Sequence, residues 1–383
     1  MKECFNKKEY ITMYIMRFAY EFANSLIQIF GAVILYKNGL KIPTILLIYA
    51  LRFGIMGMLT PLCIKVSSKM GVAFCALTAN IFRIISAYIL LFHSSINIAL
   101  FIIVMGIPGA LGNPIGNALS SKYIPKEIRG KYNSIRGILQ VLGMASASAV
   151  IAFGITNNNS ILAFKLIIIF FLIDYLCVQF IDYTPKTEHK GIFKKSFKYV
   201  LKNKSNLKTI SSIKAFHIIE RTFVPLYLYM ILEDFVLFST VIIVSILIES
   251  IPIFITGILT DKSIKKTNNI VSVLKMLISA IFIFFKNKII ISINNTLYGV
   301  LEKVYTANFN TILHNGMTES KEEDVFISSI SEMWLCFAEL IALLLMAAIS
   351  MYLGKQIFIV MFVCSIIATF IINRSKFAKT NDK

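Results

Sequence analysis

Arg17 and Glu21 stand four residues apart in "YITMYIMRFAYEFANSLIQIF" (10–30), a run that is otherwise mostly apolar. Residues four apart share one helix face, so the two can form an ion pair. His217, Glu220 and Arg221 form a second cluster at helical spacing, and Glu249, Glu302 and Glu339 each interrupt an apolar run. Arg83 does the same in "ANIFRIISAYILLF". An ionisable side chain in hydrocarbon costs about 2.5–3.5 kcal/mol on insertion scales, so each is a candidate for function. Glu21 lies roughly 16 Å along a helix from the start of its run, close to the middle of a bilayer. A carboxyl there is pushed up by desolvation and pulled down by a neighbouring Arg, a balance that lets it load and release a proton. The other reading of Arg17–Glu21 is a static salt bridge between helix turns. For Arg83 the structural reading is preferred.

The elements that position these groups are membrane spans. The 383 residues are 57% hydrophobic, and the mean hydropathy of +0.75 exceeds that of soluble domains. Twelve apolar runs are long enough to cross about 30 Å of hydrocarbon: 10–36, 43–64, 71–92, 95–119, 133–155, 160–182, 209–231, 236–259, 268–286, 289–313, 327–352 and 355–373. The expected fold is therefore all-α and polytopic. No alternating strands of a barrel are present in the pattern. The net charge of +19 reads as cytoplasmic loop charge, not as a nucleic-acid surface. Cys4, Cys63, Cys75, Cys177, Cys336 and Cys364 are scattered, without CxxC pairs or nearby His, and read as small apolar residues. No metal, cofactor or disulfide is expected. The first run is too long for a signal-peptide core. No GxxxxGK[ST] loop is present in the sequence, so ATP is not the expected energy source.

Most of the 39 Lys and Arg fall in the two termini and in alternate connections. By the positive-inside rule both termini lie in the cytoplasm. The longest connection, 183–208, is Lys-rich, with Phe193, Phe197, Val200 and Leu201 on one helical face. It suits an amphipathic helix on the inner membrane surface, in contact with anionic lipid. It separates an N-terminal six-helix half (1–182) from a C-terminal one (209–383). The halves repeat. Residues 69–92 align on 262–285, with Lys69 on Lys262 and Ile85-Ser86-Ala87 on Ile278-Ser279-Ala280. Residues 125–135 align on 320–330 at nearly the same offset. A parallel six-plus-six repeat is a transporter architecture, with the site near the midplane between halves.

Residues 257–266, "GILTDKSIKK", carry Gly257, Leu259, Asp261, Lys262, Lys265 and Lys266. This resembles the loop between helices 8 and 9 of the major facilitator superfamily, as found in bacterial transporters. "IKVSSKMGVA" (64–73) keeps Lys69 and Gly71 of the family's first copy, with Ser68 in place of the Asp. "YIPKEIRGKYNSIRGILQVLGMASA" (123–147) looks like the family's loop 4–5 and helix 5. The resemblance implies twelve transmembrane helices in two repeats, with helices 1, 4, 7 and 10 lining a cavity. Glu21, Glu220 and Glu302 would then sit on cavity helices. It also implies that Asp261 and its basic neighbours form a latch that steadies the outward-open state. Two family features are missing: an Arg in helix 4, and the Gly-Pro of the antiporter signature in helix 5, where "GMASASAVIA" (143–152) stands.

Gly106, Gly109, Gly112 and Gly116 give helix 4 a small-residue face, with Pro108 and Pro114 bending it. Close packing is the preferred explanation. Asn24, Gln28, Asn113, Asn117, Tyr298, Tyr305, Asn308 and Asn310 can contact a ligand or bond helices together. The reading is a secondary transporter of the cytoplasmic membrane, monomeric, moving a small molecule by alternating access with protons as the coupling ion. Export is the leaning; proton-coupled uptake of a small polar solute is the alternative. A membrane enzyme or sensor is the rival from another class, but His93, His189, His217 and His314 lie in separate segments.

Overall fold

The structure is a computed structural model that describes residues 7–92, 96–124, 129–181, 204–260, 264–302 and 324–374. Among these residues the chain is helical with short connections. The elements are α1 (Lys8–Lys37), α2 (42–70) and α3 (72–92), α4 (Ile98–Tyr123), α5 (Arg129–Thr156) and α6 (Ser160–Gln179). The second half holds α7 (Lys204–Leu232), α8 (Phe235–Thr260), α9 (Ile264–Phe284), α10 (288–302), α11 (Asp324–Leu353) and α12 (Ile357–Arg374). Six apolar stretches among the described residues are long enough to cross a membrane. Two of them, Ile42–Phe92 and Ser328–Ile367, each contain two helical segments. The break in the first is Gly71, whose φ of 83° and ψ of 163° no other residue type adopts readily. The Gly kept from the loop motif is thus the hinge between α2 and α3. Residues 183–203 of the basic connection, with its expected amphipathic helix, lie outside the described residues; α7 begins at Lys204.

At the end of the molecule away from the termini, the turns are short and their backbone groups satisfied. α1 ends in a Schellman motif: Gly39 (φ 87°) donates to the Tyr36 carbonyl and Leu40 to that of Leu35. Asn97, Asp234 and Asn287 accept backbone N–H groups at the starts of α4, α8 and α10. These ends are exposed, and each cap satisfies backbone groups that the helix leaves free, fixing where the helix begins or stops.

The outer faces are lined by large apolar side chains such as Leu172, Leu176, Leu277 and Phe284. Lipid is as apolar as these side chains, so close fit, not exclusion from water, holds the helices together. α2 and α11 pack antiparallel across the two halves. A Cβ on Gly57 would lie 3.2 Å from the Cys336 Cβ, and one on Gly54 3.4 Å from Leu340. α5 packs along α8 in the matching position. Near the turn end the halves also meet through rings. Phe30 of α1 lies 5.8 Å from Phe235 and 5.9 Å from Phe238, and Tyr36 lies 6.4 Å from Tyr229. Phe30 closes a π-helical turn, Leu26–Phe30, within α1. Tyr49 of α2 donates its hydroxyl to the Ile27 carbonyl in that turn, 3.2 Å away, supporting the irregular bonding such turns carry.

Candidate transport cavity

A cavity of about 310 Å³ lies among α1, α2, α4 and α5, closed on one side by α7 and α11. The N-terminal half supplies most of the wall; Ile218, Thr222, Glu332 and Glu339 come from the C-terminal half. The volume is in the range of small-molecule sites.

Arg17 and Glu21 face this space together. Arg17 Nη2 lies 2.6 Å from Glu21 Oε1 and donates to Gln140 Oε1 of α5 at 2.9 Å. Glu21 is 1% exposed, and its Oε2 has no hydrogen-bond partner among the described residues. One turn of helix and one neighbouring helix thus hold the pair, while one carboxylate oxygen stays unused. Gly143 of α5 makes this approach possible. A Cβ there would lie 2.7 Å from the Phe18 carbonyl and 3.5 Å from the Glu21 Cβ.

Arg83 reaches the cavity from α3. Its guanidinium donates to Asn80 Oδ1 at 2.7 Å and to the Pro108 carbonyl at 3.3 Å. Asn80 in turn donates to Asp174 of α6 at 2.8 Å. Arg83 lies 4.7 Å over the Tyr20 ring and Arg17 lies 5.6 Å from the same ring, a favourable contact for a desolvated cation. The network ties α1, α3, α4 and α6 together, which supports the structural reading of Arg83.

The glycines of α4 divide by position. A Cβ on Gly106 would meet Ile55 Cβ at 2.9 Å and the Arg52 carbonyl at 3.1 Å, and one on Gly109 would collide with Met56. Both serve close packing on α2. Gly112 leaves room for Arg83, whose Nη2 would be 2.6 Å from a Cβ there. Gly116 has nothing within 4 Å and opens on the cavity. Asn113 and Asn117 line the cavity beside it, and Asn117 donates to Glu332 of α11 at 3.1 Å, a bond between the halves.

Glu220 and Glu302 meet elsewhere. They are not among the residues lining this cavity; both bond Lys275 of α9 inside the C-terminal bundle. The Lys275 ammonium is 2.7 Å from Glu220 and in direct contact with Glu302. Ser365 of α12 bonds the other Glu220 oxygen, and the Tyr298 ring lies 5.3 Å from the ammonium. His217 and Arg221 lie on α7, Gly257 on α8, and Lys265 and Lys266 on α9. Asp261 and Lys262 lie outside the described residues, as do Tyr305, Asn308 and Asn310.

Sequence reasoning missed Lys275, Asp174, Arg52 and Arg136. The first three carry the same signal as the Glu residues, a charge inside an apolar run. Arg136 sits close to the start of its run, where a charge reads as part of a loop.

Residues 13–321 match the family model described as Major Facilitator Superfamily. The chain belongs to the major facilitator superfamily. As a member of that superfamily it is a multi-pass integral membrane protein and a secondary transporter, not an enzyme. No curated protein sequence matches it. Among solved structures it is similar to a mutant of the nucleoside transporter NupG, with a TM-score of 0.67 and 13% identity, over 94% of this chain and 98% of that one. It is also similar to the human organic anion transporter MFSD10 (TETRAN), with a TM-score of 0.70 and 10% identity, over 96% of this chain and 100% of that one. At such identities the likeness concerns the fold alone. The superfamily fold agrees with the helical architecture seen among the described residues.

Proposed function

We propose that the protein is a proton-coupled transporter of a small polar solute, working as a monomer in the cytoplasmic membrane with both termini inside. The Arg17–Glu21 pair, buried in the cavity between the halves, carries this reading. A proton on Glu21 removes the negative partner of Arg17 and frees its guanidinium for a solute. Proton and solute then bind together, which under an inward proton gradient gives uptake. The two similar structures are named for nucleosides and organic anions, both small polar solutes. Export, the leaning from sequence, is the second reading. It rests on general likeness to bacterial exporters; of the antiporter signature in α5 only Gly143, packed against Glu21, remains, and its Gly-Pro is missing. The loop 257–266, by the same resemblance, is the inner latch.

The test is reconstitution into proteoliposomes with an imposed pH gradient and radiolabelled nucleosides and organic anions. Wild-type protein is expected to accumulate a solute when the outside is acidic. Glu21→Gln is expected to lose accumulation while keeping solute exchange. Undiminished accumulation by Glu21→Gln would remove Glu21 from the coupling role, and loss of solute as protons enter would favour export.

A further inference from the structure

Charge around the lower cavity wall is unevenly matched. Arg136 of α5 lines the cavity, and the hydrogen bond it makes is to Ser120 Oγ of α4 at 3.3 Å. Among the described residues no carboxylate lies within ion-pairing distance of it. The ionisable groups surrounding it are Arg17, Tyr132, Glu21 and Tyr20. Arg17 stands on the same face, since it bonds Gln140, one helical turn from Arg136. Glu21, the carboxylate nearest the two guanidinium groups, is already engaged by Arg17, while Glu332 on the facing α11 accepts from Asn117.

Space is available beside them. Gly116, one turn from Ser120 on α4, has nothing within 4 Å of where a Cβ would stand. Asn113 and Asn117 line the same side. A guanidinium offers five N–H donors in a planar fork that matches a carboxylate or phosphate oxygen pair. Ser120 uses only part of that fork.

We infer that the transported solute carries a carboxylate or phosphate group that seats on Arg136, with Arg17 as a second cation released when Glu21 is protonated. This names the substrate class and rests on the transport reading above. Arg136 is a permanent anchor, because guanidinium stays protonated at any physiological pH. Arg17 is the conditional one, because its partner Glu21 can be neutralised. The amides of α4 and the Gly116 gap then meet the uncharged part of the solute.

The test uses purified full-length protein in detergent and a thermal-shift panel of matched pairs at constant ionic strength. Succinate, lactate, benzoate and glycerol 3-phosphate are compared with succinamide, lactamide, benzamide and glycerol. At least one anion is expected to raise Tm while its neutral partner does not. Arg136→Gln is expected to weaken that anion roughly 10- to 100-fold, the loss of a charge-assisted bond. Arg136→Lys, which keeps the charge but loses the fork, is expected to fall between, and serves if Arg136→Gln does not fold. Equal shifts by the neutral partners, an anion shift that survives both Arg136 variants, or no shift by any anion would each overturn the inference. An anion that binds through Arg136 but never enters proteoliposomes would keep the anion seat on Arg136 and sink proton-coupled uptake of that solute. A neutral solute that is carried would do the opposite.

Discussion

The ammonium of Lys275 lies 2.7 Å from the Glu220 carboxylate, with both side chains almost fully enclosed in the C-terminal bundle. Glu302 shares the same ammonium, so one cation from α9 joins α7 and α10. Ser365 extends the joint to α12. Lys275→Met should leave two carboxylates facing each other without it and cost about 3–5 kcal/mol. The triple change Lys275→Met, Glu220→Gln and Glu302→Gln removes every charge and should recover most of that loss. Thermal unfolding of the purified variants measures both. A triple variant no more stable than Lys275→Met would mean that the cluster contributes through packing and not through charge.

Two glycines of α4 should respond in opposite ways to one added methyl group. Gly106→Ala must push Ile55 and the backbone of Arg52 away. Overpacking of this kind costs about 1–3 kcal/mol, and backbone cannot rotate aside as a side chain can. Gly116→Ala meets nothing within 4 Å, so its stability should stay near that of the wild type while solute affinity changes. Unfolding temperature and solute binding, measured on the same two preparations, separate these outcomes. Equal destabilisation by both would show that α4 packs differently from the described arrangement.

The spans were legible because each is a run of apolar residues bounded by charges or turn residues. Gly39 and Asp234 stand just outside the runs 10–36 and 236–259, while Asn97 caps a helix that starts at Ile98, three residues later than the run 95–119 begins. Helix rotation was not legible. α6 is apolar nearly all round, so its sequence gives no hint that Asp174 points toward Asn80 and Arg83. Glu220 and Glu302 could be placed at depth but not by face, and their common partner Lys275 lies in a third helix far from both in sequence. Arg17–Glu21 was legible because the partners are one turn apart on a single helix. The hydrogen bond from Arg17 to Gln140 was not, since it crosses to α5. Local spacing shows pairs within a helix; packing alone decides pairs between helices.

The orientation can be checked by accessibility. In a Cys-free background, a single Cys at Lys194 should be shielded from an impermeant thiol reagent in intact cells. A single Cys in the turn between α5 and α6 should react. Asn157 is the better site there, because it is exposed, while Asn158 has a φ of 54° that disfavours most side chains. Labelling at 194 and protection at 157 would invert the topology, and with it the direction assigned to the proton gradient.

The Arg17–Glu21 pair separates a proton carrier from a structural bridge on the basis of three variants. Glu21→Gln mimics the protonated state in shape and charge. It leaves Arg17 bonded to Gln140 and lying near the Tyr20 ring. If Glu21 carries the coupling proton, this variant should fold, bind solute and exchange it, yet fail to respond to a pH gradient. If the pair is only a bridge, a buried Arg without its partner should cost roughly 3–5 kcal/mol. The Arg17→Gln, Glu21→Gln double variant should then regain stability. Arg17→Gln alone leaves Glu21, at 1% exposure, with no direct cationic partner. In the carrier reading the cation that alternates with the proton is then gone, so the cycle should lock even though the protein folds. Arg17→Gln that folds and still accumulates solute would exclude the pair from coupling. Attention would then move to the Lys275 cluster, where Glu220 and Glu302 share one cation.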